Sequence, residues 1–249
     1  MTTEEYMLNE TTISIMNRLK LFGMAGSFEK RLSATRQAEL SHAEFVGLLI
    51  QDEKTHRDNA RLKRLLKFAK LKQAAAVEDI DYRRSRGLNK QVMAELATPQ
   101  WIGAGRNVLF TGPAGVGKSW LACALGNMAA REGLTTLYVR APRMFDALAA
   151  SRADGSRLRQ IERLGKAQLL IVDDFLLTPL TAQERGDFLE IVEERHGAAA
   201  TIITSQCPVK DWHQNIGDPT LADAICDRLL HNAYKFELNC ASIRKEGLS

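Results

Sequence analysis

The chain has 249 residues, enough for one full domain and a smaller one at roughly 150 residues per domain. Its 45% hydrophobic and 26% charged content excludes a largely disordered protein. The net charge of +4 is uneven: residues 1–53 hold 5 basic and 8 acidic side chains, 54–90 hold 12 and 4, and 91–249 hold 17 and 18. The positive excess therefore sits in one short block, which suits either a polyanion or a solvated helix face. No run of about 18 apolar residues is present to span a membrane. The start carries Glu4, Glu5 and Glu10 and no basic residue, unlike a secretory signal. Cys123, Cys207, Cys226 and Cys240 are widely spaced, the pattern of reduced thiols in a cytoplasmic protein. The five histidines join no metal-ligating cluster, which argues against zinc.

To about Ala76 the chain has no proline, and apolar residues recur at helical spacing: Ile13, Met16, Leu19, Leu21; Phe45, Leu48, Leu49; Leu62, Leu65, Leu66, Ala69. This predicts a small helical N-terminal domain over residues 1–76. A linker follows, residues 77–100, with Asp79, Asp81, Arg83, Arg84 and Arg86, packing on the domain that runs to 249. From Asn107 apolar strands alternate with helices. Strands are predicted at Asn107–Thr111, Thr135–Arg140, Gln168–Val172, Thr201–Ser205 and Tyr234–Leu238, and helices at Lys118–Arg131, Arg143–Ala150 and Ala182–His196. That alternation implies an α/β fold with a parallel sheet covered on both faces.

Gly112-Pro-Ala-Gly-Val-Gly-Lys118-Ser119 matches G-x-x-x-x-G-K-[ST], follows a predicted strand and opens a predicted helix. Gly112, Gly115 and Gly117 let the backbone wrap phosphate oxygens, with Pro113, Ala114, Val116 and Trp120 completing the predicted nucleotide-contacting stretch. In such a loop Lys118 reaches the β- and γ-phosphates of ATP and Ser119 coordinates Mg²⁺. The strand ending in Asp173-Asp174 supplies a second Mg²⁺ position at Asp173 and a water-polarising acid at Asp174. Gln206, with Ser205 as its near rival, is placed to orient the attacking water. Arg228 ends an amphipathic stretch and is a candidate arginine finger for a neighbouring subunit, the alternative being a surface pair with Asp223 or Asp227. Arg244 is a candidate second γ-phosphate contact.

These residues together resemble the IstB-like ATPases, transposition helpers of bacterial insertion sequences related to DnaC-type helicase loaders and to the DnaA initiator. The resemblance runs over almost the whole chain. It is carried by Leu21-Phe-Gly-Met-Ala, the phosphate loop with Ala122-Cys-Ala-Leu-Gly126, Tyr138-Val-Arg140, Ala153-Asp-Gly155 and Asp173-Asp-Phe175. Thr204-Ser-Gln206, Trp212-His213 and the string from Gly217 through Asp227-Arg-Leu229 to Ala233 are its narrower parts. The resemblance implies an AAA+ P-loop NTPase fold with a parallel five-stranded sheet, preceded by a small all-α domain. It also implies a homo-oligomer formed with ATP on DNA and the handing of that DNA to a partner transposase. On this chain it makes Lys118, Ser119, Asp173 and Asp174 the ATP–Mg²⁺ residues and Arg228 the trans-acting finger. Leu176-Leu177 departs from the glycine many relatives carry there. Aspartate rather than glutamate at 174 implies slow hydrolysis without DNA or partner.

Arg57, Arg61, Lys63, Arg64, Lys67, Lys70 and Lys72 are predicted to share one helix, a cationic face for the backbone of double-stranded DNA. Arg152, Arg157 and Arg159, around an Asp-Gly turn, form a second candidate DNA surface. The rival readings are a DnaC-like replicative helicase loader, whose N-terminal helices would grip a helicase, and a small-molecule P-loop kinase. The doubled acid and Arg228 oppose the kinase.

Overall fold

The computed structural model describes residues 3–38, 40–82 and 87–239. Arg83, Arg84, Arg86, Cys240 and Arg244 lie outside the described residues. The chain divides into two compact units, 1–64 and 65–249. The division falls ahead of residue 76 because Ala75 and Ile80 are buried in the core of the second unit.

The first unit holds α1 (Thr3–Arg18), α2 (Phe22–Ala38) and most of α3 (His42–Ala69). Gly23 explains part of the Leu21–Ala25 motif: a Cβ there would lie 2.6 Å from His56 Cβ and 2.7 Å from the Asp52 carbonyl. The main-chain N–H groups of Gly23 and Met24, orphaned at the start of α2, donate to Glu53 at 2.7 and 3.1 Å. Arg57 donates to the same carboxylate at 2.7 Å. Arg31 binds Asp52 through two 2.7 Å bonds, which hold that carboxyl down at about 2. Leu19, one of the apolar residues at helical spacing, is 64% exposed just beyond the end of α1. Arg57, Arg61, Lys63, Arg64 and Lys67 are exposed along α3. The cationic helix is shorter than expected. It stops at Ala69, and Lys70 turns out of it with φ +51°, so Lys70 and Lys72 belong to the segment that follows.

The second unit opens with α4 (Lys90–Leu96), capped by the Asn89 side chain, and α5 (Gln100–Gly103). Then come β1 (Asn107–Thr111), α6 (Lys118–Arg131), β2 (Thr136–Arg140), α7 (Ala141–Ala153), α8 (Arg157–Gly165), β3 (Leu169–Phe175), α9 (Ala182–Arg195), β4 (Ala200–Ser205), α10 (Trp212–Ile216), α11 (Pro219–Leu230) and β5 (Ala233–Glu237). Every predicted strand is present, and β1 and α6 have the predicted bounds. The sheet is parallel with order β2-β3-β4-β1-β5. Alternate residues feed its two faces: Val108, Phe110 and Ile171 pack beneath α6, while Leu109, Leu170 and Val172 pack toward α7 and α9. The consequence for the site lies in the order. β4 is inserted between the phosphate-loop strand β1 and the acidic strand β3, which sets Thr204-Ser205-Gln206 between loop and acids. No helix among the described residues is long and apolar enough to cross a membrane.

Candidate active site

Between β1 and α6 the chain needs three glycines. Gly112, Gly115 and Gly117 have φ of +136°, +87° and +93°, backbone that disfavours side chains. Gly112 also lies under the last described segment, where a Cβ would come within 2.0 Å of the Leu238 carbonyl oxygen. Val116 buries its side chain in the core below, so it offers a phosphate only its main chain. Lys118 turns its ammonium over the loop, donating to the carbonyls of Gly112 and Pro113 at 2.6 and 2.7 Å.

The two consecutive acids would point to opposite faces in a regular strand. They do not, because the β3–β4 register shifts between Val172 and Phe175 and Asp174 takes φ +59°. This bulge puts both carboxylates at the loop's end of the sheet. Leu176, at φ +56°, sits where a glycine would be at ease, so the departure at that position costs some backbone strain.

Asp173 is fully buried and accepts from Ser119 Oγ at 2.7 Å, Thr204 Oγ1 at 2.5 Å and Tyr138 Oη at 2.5 Å. Lys72 Nζ stands 3.5 Å from Oδ2, the oxygen that also accepts from Tyr138. Burial pushes this carboxyl up. The bonds from Thr204, Tyr138 and Ser119, with the Lys72 charge, outweigh that and leave it below the ordinary value. Burial, then the bond to Asp173, raises the Tyr138 phenol well above its usual range. Asp174 is paired with Arg140 at 2.7 Å, and its N–H donates to Thr204 Oγ1 at 3.1 Å.

A cavity of about 550 Å³ opens over these groups. It is lined by the loop and first helical turn, by Arg140, Asp174 and Gln206, and by Lys72, Gln73, Asp79 and Asp81. Gln206 thus faces the cavity, whereas Ser205 is buried and spends its hydroxyl on the Phe175 carbonyl at 2.6 Å. Thr204, Tyr138 and Arg140 were not among the expected nucleotide-site residues, and Lys72 was expected on the DNA-facing helix instead. The only signals were the strings Tyr138–Arg140 and Thr204–Gln206. Ser119 and Asp173 present a hydroxyl and a buried carboxylate within hydrogen-bond distance, a hard-oxygen pair that fits Mg²⁺.

Three expected positions differ from a freely offered cation. Arg228 donates to Glu193 at 2.9 Å and to the Ala224 carbonyl at 3.0 Å, rather than to Asp223 or Asp227. Its own carbonyl accepts from Asn107, the first residue of β1, so it lies at the opposite end of that strand from the phosphate loop. Four steps of about 3.3 Å separate it from its own loop, so any action on a γ-phosphate must be on another subunit's. Arg152 and Arg157 do not form an open DNA surface. Both clamp the buried Asp187, at 2.7 and 2.8 Å, and Arg157 also holds Glu190 at 2.5 Å, because α8 follows the expected turn at Asp154-Gly155 and lies against α9. Arg159 remains exposed.

A family model described as IstB-like ATP binding protein matches residues 14–249. The chain is 48% identical over 239 residues to an insertion sequence ATP-binding protein, y4pL, of Sinorhizobium fredii, covering 96% of this chain and 98% of that one. Among solved structures it is similar to the DnaC helicase loader, with TM-score 0.54 and 16% identity over 66% of this chain and 97% of that one. It is also similar to the replication initiator DnaA bound to AMPPCP and single-stranded DNA, with TM-score 0.56 and 18% identity over 72% of this chain and 56% of that one. At these identities the likeness concerns the fold, which is that of the AAA+ P-loop NTPases.

Proposed function

The chain belongs to the IstB-like ATP-binding proteins of insertion sequences, and from that premise we propose that it is a cytoplasmic AAA+ ATPase. It assembles with ATP into a homo-oligomer on double-stranded DNA and assists a partner transposase. The observation that carries the reading is the convergence of the phosphate loop, Asp174 and Gln206 on one cavity, with Asp173 buried behind Ser119 and bonded to it.

The loop N–H groups and Lys118 bind and orient the phosphates. Ser119 and Asp173 would hold Mg²⁺, which when bound neutralises charge on the phosphate oxygens. Asp174 takes the proton of the attacking water, which Gln206 orients, and this requires Asp174 to exchange its Arg140 contact for that water. Arg228 supplies positive charge to a neighbour's γ-phosphate after leaving Glu193. On DNA, the exposed side chains of Arg61, Arg64 and Lys67 of α3 meet phosphates, joined by Arg159. The relative's association with an insertion sequence favours transposition over helicase loading, since the loader likeness rests on fold alone.

Particle size by light scattering, with and without duplex DNA, in ATP, in ADP and without nucleotide, tests this. Large particles should form with ATP and grow on DNA, and Lys118→Ala should abolish them. ATP-induced oligomers persisting in that variant would remove the phosphate loop from the account.

A further inference from the structure

Lys72 was grouped by its sequence neighbourhood with the DNA-facing cations, yet the fold delivers it elsewhere. α3 ends at Ala69, and the chain crosses α6 at Leu71–Gln73. Two residues of the motif Ala122–Gly126 hold it there. The main-chain N–H groups of Lys72 and Gln73 lie against the buried Cys123 sulfur and offset part of the rise that burial imposes on its thiol. Gly126 leaves room for Leu71, whose Cδ2 would lie 2.9 Å from any Cβ at that position. The backbone of Lys72 is thus fixed to the helix that begins at the phosphate loop. Its ammonium reaches the nucleotide cavity, 3.5 Å from Asp173, with 39% of the side chain exposed.

The charge balance of the cavity gives this position its weight. Lys72, Lys118 and Arg140 stand against Asp79, Asp81 and Asp174 on the walls, with Asp173 buried behind Ser119. Without Lys72, carboxylates exceed cations among the described residues around a cavity that must accept a polyanionic triphosphate. The long, partly exposed side chain can serve the acid or the phosphates from one backbone position. Lys118 approaches from within the loop, whereas Lys72 comes from outside it.

We propose that Lys72 is a second nucleotide-binding lysine, which lowers the electrostatic cost of bringing a triphosphate beside Asp173 and Asp174 and is not a DNA contact. The inference rests on the ATP-site reading above. It makes the Cys123–Gly126 motif a mount for this lysine.

The test is binding of ribose-labelled fluorescent ATP, ADP and AMP to the full chain in EDTA, without DNA. One unit charge removed from a partly screened cavity changes a dissociation constant about tenfold. Lys72→Met should therefore weaken ATP about tenfold, ADP less and AMP least; Lys72→Glu should weaken ATP further in the same order, and Lys72→Arg should restore binding to within about threefold of wild type. The salt dependence of duplex binding should not move in Lys72→Met. A penalty equal for all three nucleotides, no penalty, failure of arginine to rescue, or a flattened DNA salt slope would each overturn the proposal. Lys118→Ala separates the two readings. If wild type binds no labelled nucleotide, or Lys118→Ala binds as wild type does, the ATP site falls and Lys72 with it. If Lys118→Ala loses binding and Lys72→Met does not, only the Lys72 inference fails.

Discussion

Replacing Thr204 by valine keeps the shape of the side chain and removes one hydroxyl that holds both acids. That hydroxyl donates to Asp173 Oδ1 at 2.5 Å and accepts from the Asp174 N–H at 3.1 Å, and Thr204 is fully buried. A hydrogen bond to an ionised group is worth about 1.5–3 kcal/mol, and a buried N–H stripped of its acceptor costs about 1–3 kcal/mol. Because one atom serves both bonds, the sum is taken as about 3–5 kcal/mol. For a chain of this size that is a fall in Tm of roughly 6–20 °C. Thr204→Ser keeps the hydroxyl and should lose only about 1 kcal/mol for its methyl. The effect carries a pH signature. Asp173 titrates below its ordinary value in the fold, so its stabilisation is present above the unfolded value near ~3.9 and disappears as pH falls through the lower folded value. The gap between wild type and Thr204→Val should accordingly narrow below about pH 4. Urea unfolding of the three proteins across pH measures this. A valine variant within about 0.5 kcal/mol of wild type at neutral pH would refute the reasoning.

Arg228→Ala should retain nucleotide binding and lose about a thousandfold or more of the hydrolysis seen in the assembled state; unchanged turnover shows that the finger is elsewhere. Neutralising Arg61, Arg64 and Lys67 together should weaken duplex binding and reduce its log–log salt slope by about 2 to 3; a slope that stays put moves the DNA surface off α3.

The phosphate loop was legible because its chemistry fixes spacing, and the strands beside it because buried parallel strands are short continuous apolar runs. The bulge was not. Leu169–Val172 reads as a strand that continues, and nothing local says that the register slips so that Asp173 and Asp174 serve one site. Thr204 and Tyr138 stood out only as members of family-like strings, since their value depends on β2, β3 and β4 being neighbours. Charge pairing was the least legible feature. Arg152, Arg157 and Arg228 meet Asp187, Glu190 and Glu193 from α9, far along the chain, and no spacing rule predicts that. Lys70 closes α3 without a glycine, so the cationic run gave no sign of where its helical face ends and the nucleotide cavity begins.

In the proposed mechanism a water attacking bound ATP meets Asp174, held beside the loop by the bulge in β3. Asp174→Asn keeps the size of the side chain and removes its basicity. In Mg²⁺ and ATP, with duplex DNA present, the variant should bind nucleotide within about threefold of wild type and turn it over at least about a hundredfold more slowly. Turnover equal to wild type, with binding intact, would contradict the account.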